Sequence, residues 1–126
     1  MYKDGTINDK TELHNDFDIY AIDAQKTALY PSEKALEYLA LGLSGEAGEI
    51  ANKVKMILRG DYENKGALQW DIVRADLLGE CGDVLWYLSQ LVLVLDGRLS
   101  EVASENIAKL RRRYTEGTIK GTGDKR

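Results

Sequence analysis

Between residues 71 and 96 the chain carries more apolar surface than one face of a helix can hold. Val84, Leu85, Trp86, Tyr87 and Leu88 are consecutive, and Leu77, Cys81, Leu91 and Leu95 extend the pattern at three- and four-residue steps. That spacing predicts a helix. A helix apolar nearly all round has to be covered on several sides. The chain is therefore expected to wrap this element with other helices, as a single domain in its 126 residues. Four helices of this size leave such an element partly bare, so self-association, as a homodimer or homotetramer, is the expected remedy.

The other elements follow from the same periodicity. A first helix is expected over about 12–30, capped by Thr11, with Leu13, Phe17, Tyr20, Ala21, Ala24 and Ala28 on one face, and stopped by Pro31, the one proline. Ser32 is expected to cap a second helix reaching about 58, with Leu36, Ala40, Leu43, Ala47, Ile50, Val54 and Ile57 as its core stripe and Gly60 just past its end. Residues 60–68 read as a loop. The third helix has Leu77, Cys81, Val84, Leu88, Leu91 and Leu95 as its stripe and is closed by Gly97. A fourth, capped by Ser100 and running to about 114, turns Val102, Ala103, Ile107 and Leu110 inward. The fold class is all-α, a four-to-five-helix bundle over 1–116 followed by a glycine-rich basic tail over 117–126.

Composition narrows the partners. A net charge of −4 argues against nucleic acid, whose phosphates are held by basic surfaces. Cys81 is the single cysteine, so no internal disulfide forms and a reducing compartment is expected. The polar start (Lys3, Asp4, Asn8, Asp9, Lys10) does not read as a signal peptide. The longest purely apolar stretch, 91–95, is too short for a bilayer. The expectation is a cytoplasmic protein with no membrane partner.

Two acidic pairs interrupt the apolar pattern: Glu46-x-x-Glu49 in the second helix and Glu80-x-x-Asp83 in the third. Carboxylates three apart share a helix face. At 100° per residue, Gly42, Glu46, Glu49 and Lys53 form one band flanking the core stripe, and Asp76, Glu80, Asp83 and Tyr87 form another. If the two helices pack antiparallel, the bands face each other and four carboxylates surround one point. Oxygen-only ligation suits a hard divalent ion, Mg²⁺ or Mn²⁺, and such ions commonly handle phosphates. The alternative is a pair of solvated faces. Glycines at 42, 45, 48, 79 and 82 weigh against that, since each costs about 1 kcal/mol in a helix interior and close access to the backbone, by another helix or by a ligand, is the natural reason for them.

The string Gly42-Leu43-Ser44-Gly45-Glu46-Ala47-Gly48-Glu49-Ile50, followed by Glu80-Cys81-Gly82-Asp83-Val84-Leu85-Trp86-Tyr87-Leu88, resembles the MazG-like nucleoside triphosphate pyrophosphohydrolases, whose signature is E-x-x-E, a spacer, then E-x-x-D. Asn106-x-x-Lys109-Leu110-x-x-Arg113-Tyr114 is similar to the basic closing motif of many members. The resemblance implies that Glu46, Glu49, Glu80 and Asp83 hold Mg²⁺, or Mn²⁺, against a (d)NTP. It also implies that a surplus or non-canonical nucleotide is cleaved to monophosphate and pyrophosphate. Two departures stand out: the spacer is longer than usual, and Gly45 replaces a glutamate common before the first motif residue. The catalytic carboxylate is thus Glu46 or Glu49. Lys53, Asn106, Lys109 and Arg113 are the candidates for phosphate. Tyr87 is either a base-stacking ring or a core aromatic, and Trp70 either a base contact or an apolar anchor. A phosphoribosyl-ATP pyrophosphatase and a non-catalytic nucleotide- or metal-binding bundle are the alternatives.

Overall fold

The computed structural model describes residues 15–121 and is all-α apart from one small hairpin. Helix α1 is Asn15–Gln25, α2 is Ala35–Arg59, α3 is Trp70–Val94 and α4 is Leu99–Thr115; strands β1 (Glu63–Asn64) and β2 (Ala67–Leu68) join α2 to α3. Thr11 and Leu13, and tail residues 122–126, lie outside the described residues.

Helices α2 and α3 form the spine. They run antiparallel, since Gly42 meets Tyr87 while Lys53 meets Glu80 and Asp76. α1 lies across α3 and also touches α4. Among the described residues the buried apolar core is correspondingly small: Ala21, Ala35, Leu39, Val73, Val92 and Leu99.

Local chemistry sets the boundaries. Helix α2 ends at Gly60, whose φ of 89° is the left-handed conformation glycine adopts most easily. Gly60 N–H bonds to the Ile57 carbonyl and Asp61 N–H to that of Met56, closing the helix. Helix α3 closes in the same way, but the left-handed position is Asp96, with φ 56°, and Gly97 N–H then reaches the Val92 carbonyl. Between α2 and α3, Lys65 and Gly66 both take positive φ, 54° and 77°. This is the two-residue turn whose twist suits a hairpin, so part of the expected 60–68 loop is paired, Glu63 opposite Leu68 and Asn64 opposite Ala67.

Four sequence expectations need correction. The first helix ends at Gln25 and not near Tyr30, because the chain tightens there: Lys26, Thr27 and Ala28 N–H groups bond three residues back, and the Thr27 hydroxyl takes the Ala24 carbonyl. Ser32 opens a short 3₁₀ turn, Ser32–Lys34, and makes no side-chain cap. Ser100 does not cap α4 by its own side chain; Asp18 of α1 accepts hydrogen bonds from Ser100 N–H (3.0 Å) and Ser100 Oγ (2.7 Å), and pairs with Arg98 at 2.9 Å. The fourth concerns the stripes. Leu36, Ala40, Ala47 and Val54 of α2 are exposed, as are Cys81 of α3, Leu95 just past its end, and Val102, Ile107 and Leu110 of α4. The covered face of α2 keeps Leu43, Ile50 and Ile57 of the expected stripe and adds Leu39, Gly42, Glu46 and Lys53.

The reason is angular. At 100° per residue, Leu36, Ala40, Ala47, Val54 and Leu58 lie about 60–100° round from Leu39 on α2, and Leu78, Cys81 and Leu85 about 100–160° round from Glu80 on α3, in the same sense. In an antiparallel pair the same sense of rotation leads to the same side, so these exposed apolar residues lie on one flank that the other described elements leave bare, those of α3 further round. By length and hydropathy alone α3 could also cross a membrane, which the 91–95 stretch did not suggest. Glu80, midway along it, instead pairs with Lys53 of α2.

Candidate active site

Glu46 sits on the α2 face that packs against α3, one turn after Gly42. Gly42 permits this close approach: a methyl group there would overlap the Tyr87 ring. One turn along α3 from Tyr87 come Asp83 and then Glu80. Glu46, Glu80 and Asp83 each offer a carboxylate oxygen within 4.8 Å of the other two, with Glu46 and Glu80 half-buried and Asp83 exposed. Glu49 is exposed and stands at the rim, outside that group of three. It is still close enough to be felt. Burial pushes the Glu46 carboxyl above the usual carboxylate range, and the charges of Asp83, Glu80 and Glu49 push it further. The crowding calls for a cation. An all-oxygen, carboxylate donor set of this spacing fits a hard divalent ion held by Glu46, Glu80 and Asp83.

A lysine already leans into the cluster. Lys53 Nζ lies 3.3 Å from Glu80 Oε1 and 4.0 Å from Asp76 Oδ2. The bond to Glu80 raises the lysine above its ordinary value against a lowering by burial, with Tyr62 and Asp76 reinforcing it. Tyr62, from the segment between α2 and β1, donates to Asp76 Oδ2 at 3.0 Å. The sequence band placed Asp76 beside the motif, whereas Tyr62 carried no signal because the contact crosses from a loop to a helix.

Beside the carboxylates lies a shelf of four rings. Tyr30 stacks on Tyr38 with centroids 5.2 Å apart, and Tyr38 is 6.3 Å from Tyr87. Trp86 meets Tyr87 edge-on at 5.0 Å and Tyr30 at 6.5 Å, and its indole N–H donates to Thr27 Oγ1 at 2.9 Å. Tyr87 is thus wedged between these rings and the Gly42 backbone, and its hydroxyl is raised by burial, by the Tyr38 hydroxyl and by Glu46 and Asp83. On α1, the half-buried Tyr20 hydroxyl is raised by burial and then by the charge of Asp83. Trp70 is exposed at the start of α3, ten residues and about 15 Å of helix rise from Glu80. The basic candidates on α4 divide: Asn106 is exposed, Lys109 half-buried, and Arg113 only 3% exposed, enclosed by the chain. Gly45, Gly48, Gly79 and Gly82 have open space where a side chain would sit, so of the five motif glycines only Gly42 is explained by helix approach.

Fold and site together define an all-helical protein with a carboxylate centre between two antiparallel helices. The chain belongs to the MazG nucleotide pyrophosphohydrolase domain family, whose model matches residues 34–118 and so covers both acidic pairs and the whole of α4. It is also 48% identical over 115 residues to the Gene 37 protein of Mycobacterium phage L5, spanning 86% of this chain and 97% of that protein. No solved structure matches.

Proposed function

We propose that the protein is a Mg²⁺-dependent nucleoside triphosphate pyrophosphohydrolase, with Mn²⁺ as a substitute, that cleaves surplus or non-canonical (d)NTPs to (d)NMP and pyrophosphate. The observation that carries this reading is the meeting of Glu46, Glu80 and Asp83 oxygens within 4.8 Å inside a MazG domain. When bound there, a divalent ion neutralises phosphate charge and makes a nearby water more acidic. The remaining work falls to side chains. Glu46, Glu80 and Asp83 supply oxygen ligands. Glu49, exposed at the rim and free of that group, takes the proton of the water that attacks between the α and β phosphorus positions. Positioning and charge stabilisation carry most phosphoryl-transfer catalysis. Lys53 stands at the cluster's edge to meet the leaving pyrophosphate, with Lys109 and Asn106 as more distant candidates. The Tyr30–Tyr38–Tyr87 shelf offers the base a stacking surface.

The bare flank of α2 and α3 supports a homodimer or homotetramer, since contiguous apolar surface of this kind marks an association site. By the helical angles, Glu49 and Asp83 face the other side of the pair, so association leaves the acidic mouth open.

The test is pyrophosphate release from a panel of canonical and modified NTPs and dNTPs, with Mg²⁺ and with EDTA. Metal-dependent release with the monophosphate as co-product is expected. Folded protein that is silent on the panel but active on phosphoribosyl-ATP would move the substrate assignment. Nucleotide-dependent thermal stabilisation with no pyrophosphate would make the protein a binder and not an enzyme.

A further inference from the structure

Lys53 is placed where it obstructs the centre as much as it serves it. Its ammonium is 3.3 Å from Glu80 Oε1, and Glu80 is one of the three carboxylates that converge. An ammonium and a divalent ion cannot both lie against that carboxylate without strong repulsion. Occupation of the centre is therefore favoured when the lysine gives up Glu80. A second carboxylate is waiting 4.0 Å away, Asp76, one helical turn before Glu80 on the same face. Asp76 is in turn held by the Tyr62 hydroxyl at 3.0 Å, from a segment that belongs to neither motif helix.

We propose that Asp76 and Tyr62 are positioning residues for Lys53: Tyr62 fixes the Asp76 carboxylate, and Asp76 receives the ammonium that Glu80 releases when a divalent cation binds. This rests on the reading of Glu46, Glu80 and Asp83 as the metal centre. The arrangement makes metal affinity depend on how the ammonium is shared. Without Asp76 the lysine leans on Glu80 alone and competes harder with the ion. Without Lys53 there is no competitor, and Asp76 has nothing to receive. It also links the α2–β1 segment to the centre through one hydroxyl.

The experiment is a titration with Mn²⁺ alone, followed by the resonance of the free ion, on the full chain and on Tyr62→Phe, Asp76→Asn, Lys53→Met and the Lys53→Met/Asp76→Asn double variant. Melting temperatures without metal report whether each variant is folded. Tyr62→Phe and Asp76→Asn are expected to weaken Mn²⁺ by about two- to fivefold, the range a partly exposed ion pair supplies. Lys53→Met is expected to tighten it by a similar factor, and Asp76→Asn to add no weakening in that background. Removal of a distant negative charge would instead weaken Mn²⁺ equally in both backgrounds, and that result overturns the proposal while leaving the metal centre standing. Tight Mn²⁺ binding lost on Lys53→Met overturns it too. Failure of the unaltered chain to bind Mn²⁺ overturns the metal centre and the proposal together.

Discussion

Gly42→Ala sets two opposing effects against each other, and the structure decides which prevails. Alanine is a better helix former than glycine by about 1 kcal/mol. Against this, the added methyl would overlap the Tyr87 ring. The ring has little room to withdraw, with Trp86 at 5.0 Å and Tyr38 at 6.3 Å between centroids. Overpacking of this kind costs about 1–3 kcal/mol, so a net destabilisation of about 0–2 kcal/mol is expected. At Gly48, on the same helix, nothing meets the added methyl. Gly48→Ala is expected to stabilise by about 0.4–1 kcal/mol. The difference between the two variants, about 2 kcal/mol, is sturdier than either value because the propensity gain cancels. Thermal melts at fixed protomer concentration, which matters if the chain associates, would read it as a gap of roughly 8 °C at about 4 °C per kcal/mol. Gly42→Ala should also weaken Mn²⁺ binding, since spreading α2 from α3 one turn away separates Glu46 from Glu80 and Asp83. Equal melting temperatures for the two variants, or Gly42→Ala the more stable, would refute the close approach on which the site geometry depends.

Other outcomes follow from the same structure. Asp18→Asn should lower stability by about 1–3 kcal/mol by removing charge-assisted bonds to Ser100 and Arg98. Burial alone would raise the Asp18 carboxyl, but the hydrogen bonds from Ser100 and the Arg98 guanidinium outweigh it and hold it below its ordinary value. A depressed folded-state value stabilises above the unfolded one, 3.8, and the gain is lost as pH falls through the folded one. Acid titration of the melting temperature below about pH 4 should therefore be steeper for the unaltered chain than for Asp18→Asn. Leu36→Glu or Val54→Lys, each on the bare flank, should shift the molar mass measured by light scattering toward the monomer; an unaltered mass would place association elsewhere. Glu49→Gln should abolish pyrophosphate release with the melting temperature kept within about 2 °C, because an exposed side chain is replaced by one of equal shape. Retained turnover would remove Glu49 from the role of base.

The sequence and the structure agree where the information is local. Gly60 and Gly97 mark real breaks and Pro31 falls inside one that already opens after Gln25, while four helices among the described residues stand close to where the 3.6-residue pattern predicts them. The motif pairs are legible as well, since spacing puts each pair on one helix face and antiparallel packing then brings Glu46 and Glu80 together. What the pattern could not supply was which side of each helix has a neighbour. Leu36, Ala40 and Ala47 read as core because they are apolar at the right interval, yet they lie on a flank that the described residues leave uncovered. Distance along the chain hid the rest. Asp18 caps α4 from 82 residues away, and Tyr62 reaches Asp76 from outside the helices. The Lys65–Gly66 turn escaped notice because lysine seldom takes a positive φ. Within the site, the separation of Glu49 from the three converging carboxylates depends on packing that a four-carboxylate motif does not encode.

A crystal of the protein grown with Mn²⁺ and a non-hydrolysable (d)NTP analogue, measured at the manganese absorption edge, tests the central claim most directly. The account predicts an anomalous peak bonded to oxygens of Glu46, Glu80 and Asp83 and to the triphosphate, with the Lys53 ammonium moved off Glu80 toward Asp76. A nucleotide bound with no manganese between α2 and α3, or manganese bound away from these three carboxylates, would contradict it.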